Sequence, residues 1–201
     1  PPRLSRHGGG FEPGFRLGLT APAGSVYYTL DGTDPRLEGG AVSPDALLAG
    51  STASVELLAS PRPATWFVPT GPALGLDWTS PDFDDSSWSD GMSALGYERT
   101  SGYEDEFESD VEGSMYGENG SIYMRVPFVV EDPDEITFLS LSMKYDDGYV
   151  AYLNGVRVAS RNAPADPEWN SRSSGSHSDA AAVVFETIDI SDDLDALAAG
   201  V

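Results

Sequence analysis

The stretch that decides the fold is residues 149–160, with the sequence YVAYLNGVRVAS. Asn154-Gly155 separates two alternating runs, which is typical of a two-residue hairpin with a type I′ turn. Such a turn sets the cross-strand pairs: Leu153 with Val156, Ala151 with Val158, and Tyr152 with Arg157. The first two pairs share an apolar face, and the third lies on the opposite face. The stretch therefore predicts an antiparallel β-hairpin.

Three neighbouring segments repeat this period of two, at residues 121–130, 136–145 and 183–190. The inward faces of the first two are predicted to carry Ile122, Met124, Val126, Phe128 and Val130, and then Leu139, Leu141, Met143 and Tyr145. No long helical periodicity interrupts them, and 22 Gly and 15 Pro suit short strands joined by turns. We predict an all-β chain in which alternate side chains seal stacked sheets.

Residues 1–61 predict a smaller β unit of their own. Strands are expected at residues 16–19, 25–30 and 53–58, with a turn at Asp31-Gly32. Pro61-Arg62-Pro63 stiffens the chain, so we place a domain boundary there, before a larger unit at residues 64–201.

The two ends of the sequence carry further expectations. Residues 191–197 predict a short helical turn with Ser191 as its N-cap, and a strand expected after Gly200-Val201 is missing. The first residues, Pro1-Pro2, include no initiator Met. We expect a piece of a longer polypeptide whose export signal lies upstream.

The composition and charge of the chain disfavour several classes of binding partner. The net charge is −22 and the pI is near 4.1, which disfavours nucleic acid and anionic membranes. No run approaches the ~20 apolar residues of a membrane span, so no direct membrane insertion is predicted. There is no Cys, which excludes disulfides and thiolate chemistry. The high content of acidic residues is consistent with solubility in salty water. It is also consistent with calcium binding, because calcium prefers carboxylate oxygens as ligands.

Two resemblances follow from particular residues. The first unit resembles the chitobiase C-terminal-type domain, an immunoglobulin-like module of secreted proteins, through residues 7–11 (HGGGF) and 26–35 (VYYTLDGTDP). The second resembles the galactose-binding-like jelly rolls of large secreted bacterial proteins that also carry lamin-tail or spore-coat-kinase-like domains. The residues on which this second resemblance rests are 78–88 (WTSPDFDDSSW), Gly96-Tyr97 and 144–155 (KYDDGYVAYLNG). The resemblance implies a small β-sandwich followed by a larger jelly-roll sandwich without its last strand.

Two acidic motifs are candidate metal sites. The first contains Asp82, Asp84 and Asp85, which either shape a turn or hold calcium. Ser87 and Ser93 stand where an EF-hand needs Gly and Glu, so any calcium site there would be of another type.

The second motif is Asp146-Asp147, whose carboxylates repel each other unless a cation or a hydrogen-bond donor compensates. Some sugar-binding sandwiches use such a pair to hold calcium, so the resemblance permits a calcium and ligand site there, beside the alternative of turn chemistry.

Aromatic side chains supply the other candidates for a ligand site. Sugar recognition uses flat rings beside polar groups. Trp169, next to Asn170 and Arg172 in a loop, fits that need, and Tyr149 and Tyr152 are further candidates. The three remaining tryptophans, Trp66, Trp78 and Trp88, are predicted to lie in the core.

Residues 97–120 lack alternation and hold eight acids against Arg99 as the single base. They predict a long loop without regular structure, which is either solvated or involved in binding a cation or ligand.

The motifs do not indicate catalysis. His7 and His177 stand alone, and no nucleophile elbow or phosphate loop is present. We expect no enzyme activity, but a secreted or cell-surface accessory module that binds polysaccharide or glycan or is adhesive. One alternative is a structural subunit or spacer of an extracellular assembly, completed by a strand from a neighbouring subunit. Another is a non-catalytic fragment of a glycan-processing enzyme.

Overall fold

The computed structural model describes residues 3–4, 17–21, 24–49 and 55–200. These form two compact units, Pro1–Val55 and Glu56–Val201. The described residues are β-rich, with 25% in strands against 15% in helices, and their sheets are mostly antiparallel. In the described part of the chain, no helix is long and apolar enough to cross a membrane.

The first unit consists of short antiparallel pairs. Strand β1 (Arg3–Leu4) pairs with β2 (Leu19–Thr20), and β3 (Tyr27–Tyr28) pairs with β4 (Leu47–Leu48). Asp31 accepts hydrogen bonds from the backbone and hydroxyl of Thr33, and Gly32 has a φ of 83°, which confirms the turn.

The strands expected in this unit are shorter in the structure or absent. Residues 55–58 form no strand, contrary to the prediction for 53–58, and residues 25–30 contribute only the two residues of β3. Residues 7–11, 16 and 53–54 lie outside the described residues. None of residues 24–49 is buried, and an isolated pair of short strands gains little stability without an apolar face to cover.

The second unit is built on a three-stranded antiparallel sheet. Strand β5 (Pro63–Phe67) lies between β6 (Ser89–Met92) and β9 (Tyr123–Arg125). Beside this sheet, β7 (Leu95–Gly96) and β8 (Ser109–Asp110) form a short parallel pair, followed by helix α1 (Glu112–Met115).

Two antiparallel pairs complete the unit. Strand β10 (Ser140–Met143) pairs with β13 (Glu186–Asp189), and β11 (Tyr149–Leu153) pairs with β12 (Val156–Arg161). Helix α2 (Asp179–Ala182) precedes β13. Single 3₁₀ turns lie in the connections at Pro72–Leu74, Asp77–Thr79, Glu104–Glu106 and Pro133–Glu135. A longer 3₁₀ segment, Ser191–Ala196, follows β13 and is kinked at Asp193.

The hairpin of β11 and β12 confirms the predicted turn and corrects one pair. Asn154 and Gly155 have φ of 47° and 89°, as a type I′ turn requires, and Leu153 pairs with Val156. Tyr152 pairs with Arg157 as expected. A β-bulge then shifts the register, so that Ala151 pairs with Ala159, and the predicted pairing with Val158 is wrong. The Asn154 amide donates to the carbonyl of Ala196 at 3.0 Å.

Period-two burial holds in β10 and fails in β9. Leu139, Leu141, Met143 and Tyr145 are partly buried while the residues between them are exposed. In β9 all three residues are partly buried, because Tyr123 and Arg125 pack on the face predicted to be exposed. Ser191 does not cap the turn that it begins, because its hydroxyl contacts the backbone of Leu139 instead.

The core of the second unit has two parts. An aliphatic cluster centres on Val130, Leu153 and Leu197, each less than 9% exposed. An aromatic cluster centres on Trp88, 9% exposed, with Phe67 and Phe83 packed against it. Its other members are Trp78, Tyr123 and Tyr152. Trp78 stacks on Tyr123 of β9 and meets Tyr152 of β11 edge-on, so one indole joins the three-stranded sheet to the hairpin.

Candidate functional site

The Asp146-Asp147 turn is fixed to the loop that follows β12. Asp147 Oδ1 accepts a hydrogen bond from the backbone N–H of His177 at 3.0 Å. The Asp147 carbonyl accepts another from Asn162 Nδ2 at 2.9 Å, and the Asn162 carbonyl accepts one from Ser174. The peptide bond between Asp146 and Asp147 is cis. Two hydrogen bonds thus hold Asp147, one at its carboxylate and one at its carbonyl, while Asp146 remains exposed.

Gly148 allows this turn to lie against the end of β12. A Cβ at this position would stand 2.7 Å from the carbonyl oxygens of Arg161 and Asn162. Both are backbone atoms, so no side-chain rotation relieves the contact. The glycine is thus required by the close approach of two backbone segments.

The turn has an unfavourable electrostatic environment for an anion. Partial burial raises the pKa of Asp146 above its ordinary value, and the charges of Asp147 and then Asp179 raise it further. Burial also raises the pKa of the Tyr103 hydroxyl, with contributions from the carboxylates of Asp179, Glu98, Asp146 and Glu106. Carboxylates from both the turn and the acidic segment 97–120 therefore act on the Tyr103 hydroxyl.

A bound cation would relieve this repulsion, but the geometry assigns no metal centre. Among the described residues, no group of three or more His, Asp or Glu side chains converges to hold a metal ion. Calcium at Asp146 and Asp147 stays a prediction.

A second network supports the turn from the side of β13. The Tyr145 hydroxyl and Arg161 Nε donate to the two carboxylate oxygens of Glu186, at 2.8 and 2.7 Å. These two bonds lower the pKa of Glu186, and the bond from Tyr145 to Glu186 is the main reason that the pKa of Tyr145 is raised. His177 stacks on the Tyr145 ring, with centroids 4.1 Å apart, and its Nδ1 lies 2.8 Å from the Tyr145 carbonyl.

This network includes residues that sequence reasoning missed. Glu186, Arg161 and His177 lie on three separate segments, and no spacing in the sequence indicates that they meet around Tyr145. Tyr149, which was a candidate ligand residue, packs edge-on against Tyr145 at 4.9 Å. Its hydroxyl is buried and has no hydrogen-bond partner among the described residues.

The loop of Trp169 is the second candidate region, and it is anchored at several points. Asn119 Nδ2 donates to the Trp169 carbonyl at 3.1 Å, and the Ser121 hydroxyl donates to the Ser171 carbonyl at 2.6 Å. Within the loop, Glu168 and Ser171 exchange two hydrogen bonds. The backbone that carries the indole is therefore well fixed.

Three side chains of this loop are exposed or partly exposed. Trp169 is partly exposed, and within the described ranges its ring stacks on no other aromatic ring. Asn170 and Arg172 are exposed beside it. The predicted trio thus presents one flat apolar surface and two polar side chains from a short fixed loop.

The other predicted residues are engaged in packing or turns. Tyr152 belongs to the aromatic cluster, so its ring is not a free platform. Asp85 accepts from Arg125 Nε at 2.9 Å and from the Thr65 hydroxyl at 2.8 Å. Asp84 accepts from the backbone of Ser86, and Asp82 is exposed. This arrangement favours the turn-forming alternative at residues 82–85.

Arg125 holds this turn in place. Its guanidinium donates to the carbonyls of Trp78 and Ser80 as well as to Asp85. The sequence analysis assigned no role to Arg125, because its partners lie 40 or more residues away in the chain.

The acidic segment 97–120 is more ordered than predicted. It contains a 3₁₀ turn, β8 and α1, so the expectation of a structureless loop is wrong. Two cations contact it: its own Arg99 lies 3.8 Å from the centroid of the Tyr116 ring, and Lys144, which follows β10, pairs with Glu106 at 2.7 Å. His7, the other histidine considered, lies outside the described residues.

Comparison of the chain with protein-family models, with curated proteins and with solved structures found no match.

Proposed function

We propose that this chain is a non-catalytic accessory module of a secreted or cell-surface protein, and that its second unit binds polysaccharide or glycan. The observation that carries the proposal is the partly exposed Trp169 ring on a loop fixed by hydrogen bonds from Asn119 and Ser121. A ring held in place stacks on a sugar face at a low cost in conformational entropy. Asn170 and Arg172 supply donors for the hydroxyl groups.

The fold proposed for this function is an immunoglobulin-like sandwich followed by a galactose-binding-like jelly roll. Antiparallel pairing and the alternating burial of β10 support stacked sheets in the second unit. The contacts of Trp78 with both β9 and β11 support them further, since an inter-sheet core joins side chains of facing sheets.

Calcium belongs to the proposal as a second contribution to binding. Partial burial and then the charge of Asp147 destabilise the Asp146 carboxylate, and both residues stand on a turn fixed by His177 and Asn162. A calcium ion there would neutralise the pair and keep coordination positions for sugar hydroxyls. No catalytic role is proposed, since the His177 ring packs against Tyr145 and its Nδ1 is engaged by that residue's carbonyl.

A glycan array probed with and without calcium tests the proposal. Trp169→Ala is expected to weaken binding of any glycan that is found by about tenfold, which corresponds to a loss of about 1.4 kcal/mol. Phe138→Ala is the matched control, because Phe138 is an aromatic residue, 43% exposed, on a different segment. Retained binding in Trp169→Ala, or no glycan bound by the folded protein, would refute the proposal.

Calorimetric titration with calcium tests the metal separately. Asp146→Asn is expected to abolish the calcium signal, while Asp90→Asn, at an exposed carboxylate of β6, leaves it unchanged. Equal titration curves for the two variants would place any calcium elsewhere.

A further inference from the structure

The side chain of Arg172 lies against the backbone of a neighbouring segment. A Cβ at Gly120 would stand 2.6 Å from Arg172 Cγ and 3.4 Å from its Nε, so the arginine stem lies where a larger residue at position 120 would carry its side chain. Next to this contact, Asn119 Nδ2 donates to the Trp169 carbonyl at 3.1 Å. Two successive residues of one segment therefore support the backbone of Trp169 and the stem of Arg172.

The guanidinium of Arg172 has no ion pair and no hydrogen bond among the described residues. The other arginines and lysines of the second unit each form an ion pair or donate to a backbone carbonyl; they are Arg62, Arg99, Arg125, Lys144, Arg157 and Arg161. The chain has 33 acidic residues against 11 lysines and arginines, so a guanidinium without any partner is an exception in this unit. Its planar fork of donors matches a carboxylate that a ligand would bring.

The charge around Arg172 disfavours a ligand with many carboxylates. Asp166 and Glu168 are exposed on the same loop, and the whole chain carries a net charge of −22. These charges repel a polymer that has a carboxylate on every sugar. A single carboxylate in contact with the guanidinium is different, because repulsion from charges farther than about 8 Å is screened at physiological ionic strength. The charge distribution thus favours one isolated carboxylate.

We propose that the glycan site at Trp169 takes an acidic sugar, a uronate residue flanked by neutral sugars, whose carboxylate accepts two hydrogen bonds from Arg172. The inference rests on the proposed glycan binding and adds the class of sugar to it. Trp169 packs on the apolar face of the glycan, and Arg172 distinguishes a carboxylate from a hydroxyl group.

Paired polysaccharides test the proposal with the full chain. Glucuronoxylan, hyaluronan and xanthan each carry uronate residues between neutral sugars, and chemical reduction of their carboxyl groups to alcohols gives a neutral form of the same backbone. At least one native polysaccharide is expected to bind about tenfold more tightly than its reduced form, because the reduced form lacks the charged partner of Arg172. Polygalacturonate, with a carboxylate on every sugar, is expected to bind more weakly than that polysaccharide.

Two variants with the same change in net charge assign the preference to one residue. Arg172→Gln keeps the Cβ and Cγ atoms that pack on Gly120, and it is expected to bring the affinities of the native and reduced forms close to each other. Arg36→Gln, at an exposed arginine of the first unit, should leave the preference unchanged. Trp169→Ala should weaken the binding of both forms by the same factor.

The outcomes separate this inference from the proposed function. Equal binding of native and reduced forms that Trp169→Ala weakens would overturn the acidic class of sugar and leave glycan binding intact. A preference that survives in Arg172→Gln, or that a calcium chelator removes, would overturn the role of Arg172. Tightest binding to polygalacturonate would overturn the isolated carboxylate, and no binding of any glycan by the folded protein would overturn both proposals.

Discussion

Replacing Gly148 with alanine puts a methyl group where two backbone segments touch. The new Cβ would lie 2.7 Å from the carbonyl oxygens of Arg161 and Asn162, well inside the 3.4 Å at which ordinary contact begins. Neither carbonyl rotates away, because both belong to the backbone at and just beyond the end of β12. The turn or the strand must therefore shift, and overpacking of this kind costs about 1–3 kcal/mol.

Urea unfolding and thermal melting of the full chain measure this cost. A domain of this size loses about 2–4 °C of Tm for each kcal/mol, so Gly148→Ala is expected to melt about 2–12 °C lower. Gly113→Ala is the control, because a Cβ at Gly113 in α1 meets nothing within 4 Å and alanine favours a helix. If Gly148→Ala melts with the wild-type protein, the close packing of this turn on β12 is wrong.

Three further changes test the electrostatics and the core of the second unit. Asp146→Asn should raise Tm at pH 7, because the pKa of Asp146 is raised in the folded protein and its ionised form is therefore unfavourable there. This gain should vanish below pH 3.8, where the carboxyl group is protonated in both the folded and the unfolded protein. A gain that is independent of pH would contradict this assignment. Asp85→Ala should lower the free energy of unfolding in urea by about 2 kcal/mol, since Arg125 loses a partly buried charged partner; an unchanged value would count against that pair. Trp88→Ala should cost about 3–5 kcal/mol in the same assay and reduce the near-ultraviolet circular dichroism of the aromatic cluster, whereas a small change in both would show that the cluster is not a core.

Local patterns predicted the parts of the fold that depend on local chemistry. The Asn154-Gly155 turn and the alternation before Tyr145 follow from turn geometry and from period-two burial, which neighbouring residues determine. The bulge at Val158 was not predicted, because an extra residue in one strand leaves the alternating pattern of the sequence unchanged in appearance. The burial of Arg125 was missed for a similar reason: its partners Asp85 and Ser80 lie far away in the chain.

The candidate site was predicted in part, for comparable reasons. Local motifs in the sequence indicated Trp169 and Asp146, whose side chains are partly exposed and exposed in the structure. The same reasoning indicated Tyr149 and Tyr152, whose rings pack against Tyr145 and Trp78. A tyrosine in a strand carries no local signal that distinguishes a ring facing a ligand from a ring facing a second aromatic residue.

The hairpin turn also bears on the chemical ageing of the protein. In an Asn-Gly sequence the glycine nitrogen attacks the asparagine side-chain carbonyl and ammonia leaves, because no side chain on glycine obstructs the approach. Water then opens the resulting cyclic imide to give aspartate or isoaspartate. The fold opposes this step at Asn154, since the amide must swing away from the Ala196 carbonyl to which it donates. Deamidation would replace that donor with a carboxylate facing the same oxygen. The fraction of chains with aspartate or isoaspartate at position 154 should therefore rise under conditions that break the hydrogen bond between Asn154 and Ala196.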